Sequence, residues 1–567
     1  AAAVAMEVAA TAAASGLRSF TFMKHVGMNV ASDSFMTTAY SGVNGGMVIL
    51  SADDPSLFSS QNEQDTRNYG RLANVPILEP SNCQEVKDMV KYAFDLSEQF
   101  KLPVIVRTTT RVSHMRGVVE FGEVVDNSSE GESHWKKGFF KKNPAQFVPV
   151  PAFAKDMHVA LVEKMDEINK ITNESDFNVE SYFSQNKKYG VIASSSAYNY
   201  AYDVIRYNNL DIDVLKLGFS YPFPYDKVAD FVKDYDEVFI VEEVDPIIEK
   251  DTLVAIGKNN LNTVVHGKLD GTFPVYHEFN SDIVANGFNK YLNFIEENTD
   301  DYSDNLLNLQ EEIPSRAPVL CAGCPHRAMY YGVNKALEEL GIPLKDAVFA
   351  SDIGCYTLGI NPPYNAADYL LSMGSSVGDG CGFSIATNQK VISFIGDSTF
   401  FHSGISPLIN AVHNKNNFIL TVLDNRITAM TGGQPNPGIP VDGMGDDAPE
   451  ISIRKLALAC GCNYVRVINP LNLDQVVKTY KEALERDEVC VIIAKAPCTL
   501  IKGKTRKPPV NYIDSTCNGC NKCVSELACP AISKDGGKIA IDPSMCDGCG
   551  VCIQVCKYGA LEAGRGE

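Results

Sequence analysis

The chain has 567 residues, 45% hydrophobic and 21% charged, with a formal net charge of -20. That length exceeds what one core supports and predicts three or four domains, and the acidic balance disfavours nucleic acid as a partner, because neutralising phosphates takes a surplus of Lys and Arg. No run of about eighteen or more apolar residues suggests a membrane span; the Ala-rich start has no basic leader, so the chain reads as cytoplasmic, and its 17 cysteines then argue for metal or cluster ligation rather than disulfides.

Short β-rich runs alternate with helical patterns from the start. RSFTFM, GGMVILSADD and LPVIVRTTTRVSH read as strands with their loops, and CQEVKDMVKYAFDLSEQF carries apolar residues at helical spacing. This βαβ order predicts a parallel sheet. The basic-aromatic stretch from Trp135 to Lys142 reads as a solvated loop rather than a phosphate contact, and Asp156 to about Asn173 as a long amphipathic helix. A second, smaller doubly wound unit is expected from Tyr189 through DVLKLGFSYPFP to the strand EVFIVEEVDP. The acidic segment from Glu296 to Arg316 lacks a sustained apolar face and reads as a linker. A third α/β unit, with strands VISFIGDS, FILTVLDN and EVCVIIAKAP, runs to about Cys498; KGKTRKPP then forms a stiff tether to a cysteine-rich tail.

Two cysteine runs fill that tail: Cys517, Cys520, Cys523 and Cys529, then Cys546, Cys549, Cys552 and Cys556. The near-repeat resembles the bacterial two-cluster ferredoxin. In that fold the fourth cysteine of each run ligates the other cluster, so the resemblance implies one 4Fe–4S cluster on Cys517, Cys520, Cys523 and Cys556 and another on Cys546, Cys549, Cys552 and Cys529. Five residues rather than three precede Cys529, and Lys557 stands where proline is usual, so the first loop is longer than standard. Zinc or disulfides are the alternative readings, and neither calls for two interleaved sets of four.

Upstream, one strand ends in Gly396-Asp397-Ser398 and the next in Asp424-Asn425, which points both ends to one edge of the sheet, where α/β proteins bind ligands. The Asp397 carboxylate, the Asn425 amide oxygen and the Ile427 carbonyl make half of an octahedral Mg²⁺ shell that a diphosphate can complete, and Gly396 allows close backbone approach. This pattern resembles the thiamine-diphosphate motif, and Met373, Gly374, Ser375 and Ser376 resemble another strip of the same pocket. KHVGMNV, SADDPS, SSQNEQDTRNYGRLANVPILEPS, LKLGFSYPFP, VEEVDP, CAGCPHR, SDIGCYTLG and the double cluster motif follow in one order. That order resembles the α-subunits of indolepyruvate:ferredoxin oxidoreductase, within the thiamine-dependent 2-oxoacid:ferredoxin oxidoreductase family. The resemblance implies decarboxylation of a 2-oxoacid on thiamine diphosphate, capture of the acyl group by coenzyme A, and exit of two electrons through iron–sulfur clusters to ferredoxin. It also implies a smaller β-subunit, since the family's third oxidoreductase domain is not evident here, in a heterotetramer of two α and two β.

The implied fold class is multidomain α/β. A pyrimidine-binding thiamine-diphosphate domain is expected over 1–180, a transketolase C-terminal-like domain over 186–295, the linker over 296–316, the diphosphate- and Mg²⁺-binding domain over 317–500, the tether over 501–510 and the ferredoxin-like domain over 511–567. The family's ylid-promoting glutamate falls on Ala2, and the start lacks the first βα unit of such a domain, so a missing N-terminal segment is expected, with Glu7 as the fallback catalytic candidate. Cys321, Cys324, Cys355 and Cys498 fall at element ends and, by the same resemblance, form a possible third 4Fe–4S site; small buried thiols or a zinc half-site are the alternatives. Cys83, Cys381, Cys460, Cys462 and Cys490 read as core residues. Arg111 is a candidate for the 2-oxoacid carboxylate and His402 for diphosphate or substrate; Lys24, His25, Arg107 and His326 stand near further ligand-facing turns. The reading is an arylpyruvate oxidoreductase, against the same chemistry on another 2-oxoacid, an electron-transfer subunit with a vestigial thiamine fold, or non-oxidative decarboxylation.

Overall fold

A computed structural model describes residues 2–123, 137–295 and 318–564, apart from 502, 504 and 537. Trp135 of the basic-aromatic stretch and the expected 296–316 linker lie outside the described residues. The chain forms two compact units, one from the residues up to 295 and one from 318 onward.

The strands of the first unit are β1 (Ser19–Lys24), β2 (Met47–Ala52), β3 (Ile77–Leu78), β4 (Val104–Thr108), β5 (Asn178–Ser181), β6 (Tyr189–Ala193), β7 (Ile212–Leu217), β8 (Phe219–Tyr221), β9 (Glu237–Val241) and β10 (Val264–His266). They make two five-stranded sheets, ordered β1-β2-β4-β3-β8 and β10-β9-β6-β7-β5. The sheets are parallel except at one edge each, where β8 and β5 pair antiparallel with β3 and β7. The central strand β4 is buried along its whole length, as the near-continuous apolar run VIVRT requires of a strand covered on both faces. The helix Cys83–Phe100 is capped by Asn82, whose side chain accepts from Glu85 N, and buries Met89, Ala93, Leu96 and Phe100 at helical spacing.

One difference from the sequence expectation concerns the boundary near residue 180. β5 belongs to the second sheet although it precedes Tyr189, and β8 returns to the first sheet from within the second stretch. The chain therefore crosses between sheets three times, and edge strands this short carry too few residues to announce their partner. A buried ionic network joins the two sheets. Arg107, at the end of β4, lies 2.6 Å from both Asp53 and Glu79, and Arg67 lies 2.6 Å from Asp65 and from Glu242 just beyond β9. Burial pushes the carboxyls of Asp53 and Glu242 upward, and the arginines oppose that shift. Such a network fixes geometry more reliably than it adds stability, because desolvation offsets the Coulomb gain.

The second unit has a parallel sheet ordered β11-β12-β13-β15-β14, from β11 (Ala347–Ala350), β12 (Lys390–Gly396), β13 (Ile419–Asp424), β14 (Tyr464–Ile468) and β15 (Cys490–Lys495). Register sets Gly396 beside Leu423 and Asp424 beside Lys495, so β12, β13 and β15 end at the same edge. The tail adds two antiparallel pairs, β16 (Asn511–Tyr512) with β19 (Leu561–Glu562), and β17 (Ile532–Asp535) with β18 (Lys538–Ile541). It packs Val510, Leu527, Val551 and Val555 against Ala328 and Leu473 of the α/β layer. The expected tether is part of this packing: Val510 is buried and its N–H donates to Cys546 Sγ at 3.5 Å. No described helix is long and apolar enough to cross a membrane.

Candidate active site and cluster cavities

Asp397 follows β12 and Asp424 ends β13, both buried, so the sheet edge carries two carboxylates side by side. Burial, and then the neighbouring Asp424, push Asp397 up to about 7; Asp424 shifts upward as well. Asp397 Oδ1 accepts from Ser398 N at 2.8 Å, and Oδ2 accepts from Arg426 N at 2.9 Å and Asn436 Nδ2 at 3.1 Å. Arg426 adopts a left-handed backbone (φ 65°) to aim that N–H, a strain that clusters at ligand-binding turns. The buried Asn425 amide has its Oδ1 beside Ile427 N at 3.2 Å and its Nδ2 3.5 Å from His326 Nε2. Burial holds His326 down at about 4, hence neutral and able to accept from that amide, which turns the amide oxygen the other way. An all-oxygen donor set around two strained carboxyls fits a hard divalent cation, whose charge would reverse the upward shifts.

The Met373–Ser376 strip is pinned to this edge from two sides. Asp352, fully buried, accepts from Gly374 N with both oxygens at 2.8 and 2.9 Å, from Ile353 N at 2.7 Å and from Ser376 Oγ at 3.1 Å. Opposite, Ser403 Oγ donates to the Met373 carbonyl at 3.0 Å. Ser375 Oγ donates to Asp379 at 2.8 Å. Gly374 has φ 97°, and a Cβ there would lie 1.7 Å from Ser403 Oγ, so only glycine fits. Ser403 and His402 lie in a π-helical turn, Phe400–Gly404, a distortion that recurs at functional sites. Burial lowers the His402 pKa. Gly396 also leaves room for an aromatic ring: a Cβ there would meet the Tyr356 ring at 2.7 Å.

None of the 17 cysteines forms a disulfide. Cys517, Cys520, Cys523 and Cys556 line one cavity, with about 370 Å³ of empty space including its opening to solvent, and Cys529, Cys546, Cys549 and Cys552 line another, with about 470 Å³ counted the same way. Burial first, then the other thiols of the same cavity, push up Cys523, Cys549 and Cys552, the last to about 12. Among the described residues no three His, Cys, Asp or Glu groups stand close enough to hold one metal ion. Of the other four, Cys321 and Cys324 precede the helix Pro325–Glu339, and Cys355 opens a 3₁₀ turn after β11. Cys498 follows β15, its N–H donating to the Asn425 carbonyl at 3.0 Å. Burial raises Cys355, with Cys498 and Cys321 adding to the shift, and Cys324 is raised to about 12, with Cys321 contributing, so these thiols are neighbours. Cys381, Cys462 and Cys490 are buried in the core.

In the first unit, Glu7 is exposed on the helix Ala2–Ala14 and accepts from Ser34 Oγ at 3.1 Å. Arg111 makes a two-pronged pair with Glu278, one arm at 2.9 Å, so its guanidinium is already engaged. Lys24 Nζ lies 2.9 Å from Asp54, and His25 Nε2 lies 3.0 Å from the Asn62 carbonyl. Asp424, Asn436, Asp352 and Ser403 escaped sequence reasoning. Only Asp424 had a local signal, its place next to Asn425.

Three family profiles match the chain. "Pyruvate flavodoxin/ferredoxin oxidoreductase, thiamine diP-bdg" covers residues 3–184, "Thiamine pyrophosphate enzyme, C-terminal TPP binding domain" covers 352–494, and "4Fe-4S dicluster domain" covers 509–557. The indolepyruvate oxidoreductase subunit IorA of Methanothermobacter marburgensis is 54% identical over 565 residues, 99% of this chain and 88% of that one. The chain belongs to the IorA family. IorA subunits of Pyrococcus horikoshii and Archaeoglobus fulgidus are each 41% identical across 99% of this chain, and it covers 89% and 88% of theirs. Membership gives the parallel sheets their meaning: this IorA-family chain is a multidomain α/β protein with thiamine-diphosphate-binding domains and a C-terminal 4Fe–4S dicluster domain.

Proposed function

We propose that the chain is the thiamine- and cluster-bearing subunit of an enzyme that oxidatively decarboxylates arylpyruvates such as indolepyruvate and phenylpyruvate. The balanced reaction takes one 2-oxoacid, one coenzyme A and two oxidised ferredoxins to one aryl-acetyl-CoA, one CO₂, two reduced ferredoxins and one proton. Thiamine diphosphate, when bound, supplies the nucleophilic carbon and the electron sink. One observation carries the reading: the carboxylate-lined edge at Asp397 and Asp424 and the two four-cysteine cavities belong to one compact unit.

In this reading Asp397, Asn425 and the Ile427 carbonyl hold Mg²⁺ against the diphosphate, and Gly396, Ser398 and the Met373–Ser375 strip shape the diphosphate cradle. Asp352 and Ser403 position that strip, and His326 orients the Asn425 amide. The tail holds one cluster on Cys517, Cys520, Cys523 and Cys556 and one on Cys529, Cys546, Cys549 and Cys552. Cys321, Cys324, Cys355 and Cys498 hold a third, which the hydrogen bond from Cys498 N to the Asn425 carbonyl ties to the metal loop. A smaller β-subunit completes the enzyme as a heterotetramer, two of each chain.

The substrate branch is supported by the relatives, which are indolepyruvate oxidoreductase subunits by name. Comparing kcat/KM for indolepyruvate, phenylpyruvate, 2-oxoglutarate and pyruvate tests it. An aryl-sized pocket leaves the pyruvate methyl without apolar contacts, a difference worth at least about tenfold. Equal or better turnover of pyruvate would move the protein to another branch.

A further inference from the structure

Arg327 sits in the first turn of the helix Pro325–Glu339 and is 4% exposed. Nη1 donates to the Tyr364 hydroxyl at 2.7 Å and to the carbonyls of Leu527, at 3.1 Å, and Ala528; Nη2 donates to the carbonyls of Leu320 and Cys321. All these acceptors are neutral. The third nitrogen, Nε, is buried with no hydrogen-bond partner. A donor left this way costs about 1–3 kcal/mol and calls for an acceptor.

The same side chain lines the larger cysteine cavity, with Cys529, Cys546, Cys549 and Cys552. Gly323 and Cys324 of the thiamine domain also line it, as does Asp547. The smaller cavity differs: its cation is Lys522, whose side chain is 44% exposed and lies 2.8 Å from Glu526. Thus one cysteine set faces a buried guanidinium with an unused N–H, opposed by the Asp547 carboxylate, and the other faces a solvated, neutralised ammonium.

Resting on the reading that each cavity holds a 4Fe–4S cluster, we infer that Arg327 Nε–H donates to a sulfur of the cluster in the larger cavity and raises its reduction potential above that of its neighbour. Reduction adds one negative charge to the cluster, so a buried positive charge and an N–H···S bond both favour the reduced form. Arg327 then makes the cluster bordering the thiamine domain the stronger electron trap, while its bonds to the carbonyls next to Cys321 and Cys529 hold the two domains together.

Redox titration followed by electron paramagnetic resonance, on the anaerobically purified complex of this chain with its β-subunit, tests the inference. In Arg327→Met one tail cluster should become harder to reduce by tenfold or more, about 59 mV for a one-electron couple, with the other unchanged. Arg327→Lys, which keeps the charge but not the planar donor, should shift the same cluster less. Tyr364→Phe, which loosens the docking contact and keeps the guanidinium, should shift neither. Wild-type potentials for both clusters in an iron-replete Arg327→Met variant would overturn the inference, as would equal shifts in both clusters or the same shift in Tyr364→Phe. If Arg327→Met loses iron, Arg327→Lys decides: a fall at one cluster upholds the inference and no change refutes it. A wild-type tail without iron would instead overturn the cluster reading beneath it.

Discussion

Replacing Asp352 by Asn should weaken thiamine diphosphate binding without destabilising the apoprotein. Burial raises the Asp352 carboxyl from 3.8 to about 6. The folded state therefore binds its proton more tightly than the unfolded state does, and stability falls as pH rises from about 4 to about 6. Above pH 6 the ionised group costs the fold about 3 kcal/mol, at 1.36 kcal/mol per unit. Asn escapes that cost. It also sets an NH₂ against Gly374 N, which now donates to both carboxylate oxygens, and forfeiting one such bond costs about 1–3 kcal/mol. The strip proposed to cradle the diphosphate should then shift, and affinity should drop roughly tenfold to hundredfold. Calorimetric titration of the apoprotein with thiamine diphosphate and Mg²⁺ reads the affinity, and a thermal scan reads stability. The affinity gap between variant and wild type should be full above about pH 6 and close below it, where Asp352 is itself protonated and resembles Asn. Unchanged affinity, or an affinity loss that merely tracks a fall in melting temperature at every pH, would refute the reasoning.

Three further outcomes follow from the site. Asp397→Ala should abolish Mg²⁺-dependent thiamine retention, because Asp424 alone compensates the metal poorly; undiminished thiamine in the purified variant would sink the metal assignment. Cys498→Ser should lower the iron content of anaerobically purified protein from about twelve to about eight per chain, and eight in both would make these four cysteines ordinary thiols. Cys520→Ser should stop ferredoxin reduction while CO₂ is still released in a single turnover. It is a cleaner cut than deleting the tail, because Leu527 and Val551 cover Ala328 and Leu473; full-rate ferredoxin reduction by this variant would end the wire interpretation.

Much of the site was legible because its signals are local. The cysteine spacing of the tail announces two interleaved sets, and Asp397 and Asn425 announce themselves by standing at the ends of consecutive strands. What the sequence hid comes from distance along the chain. Asp352 reaches Gly374, Ser403 reaches Met373 and Arg327 reaches Ala528, and nothing about an aspartate, a serine or an arginine in isolation names such a partner. The packing of Tyr356 against Gly396 was hidden as well, because a glycine at a strand end suits a ligand and an aromatic ring equally well. The short edge strands β5 and β8 were misassigned for a related reason: strand pairing is decided by tertiary contacts that three or four residues do not encode.

The central claim is that one chain couples thiamine chemistry to cluster-borne electron exit. The most direct test is the stoichiometry of anaerobic turnover, with the assembled complex, indolepyruvate, coenzyme A and excess oxidised ferredoxin. Two ferredoxins should be reduced for each CO₂ released and each acyl-CoA formed, with ferredoxin reduction falling away when coenzyme A is withheld. Release of CO₂ with an aldehyde as the product and ferredoxin left oxidised would contradict it.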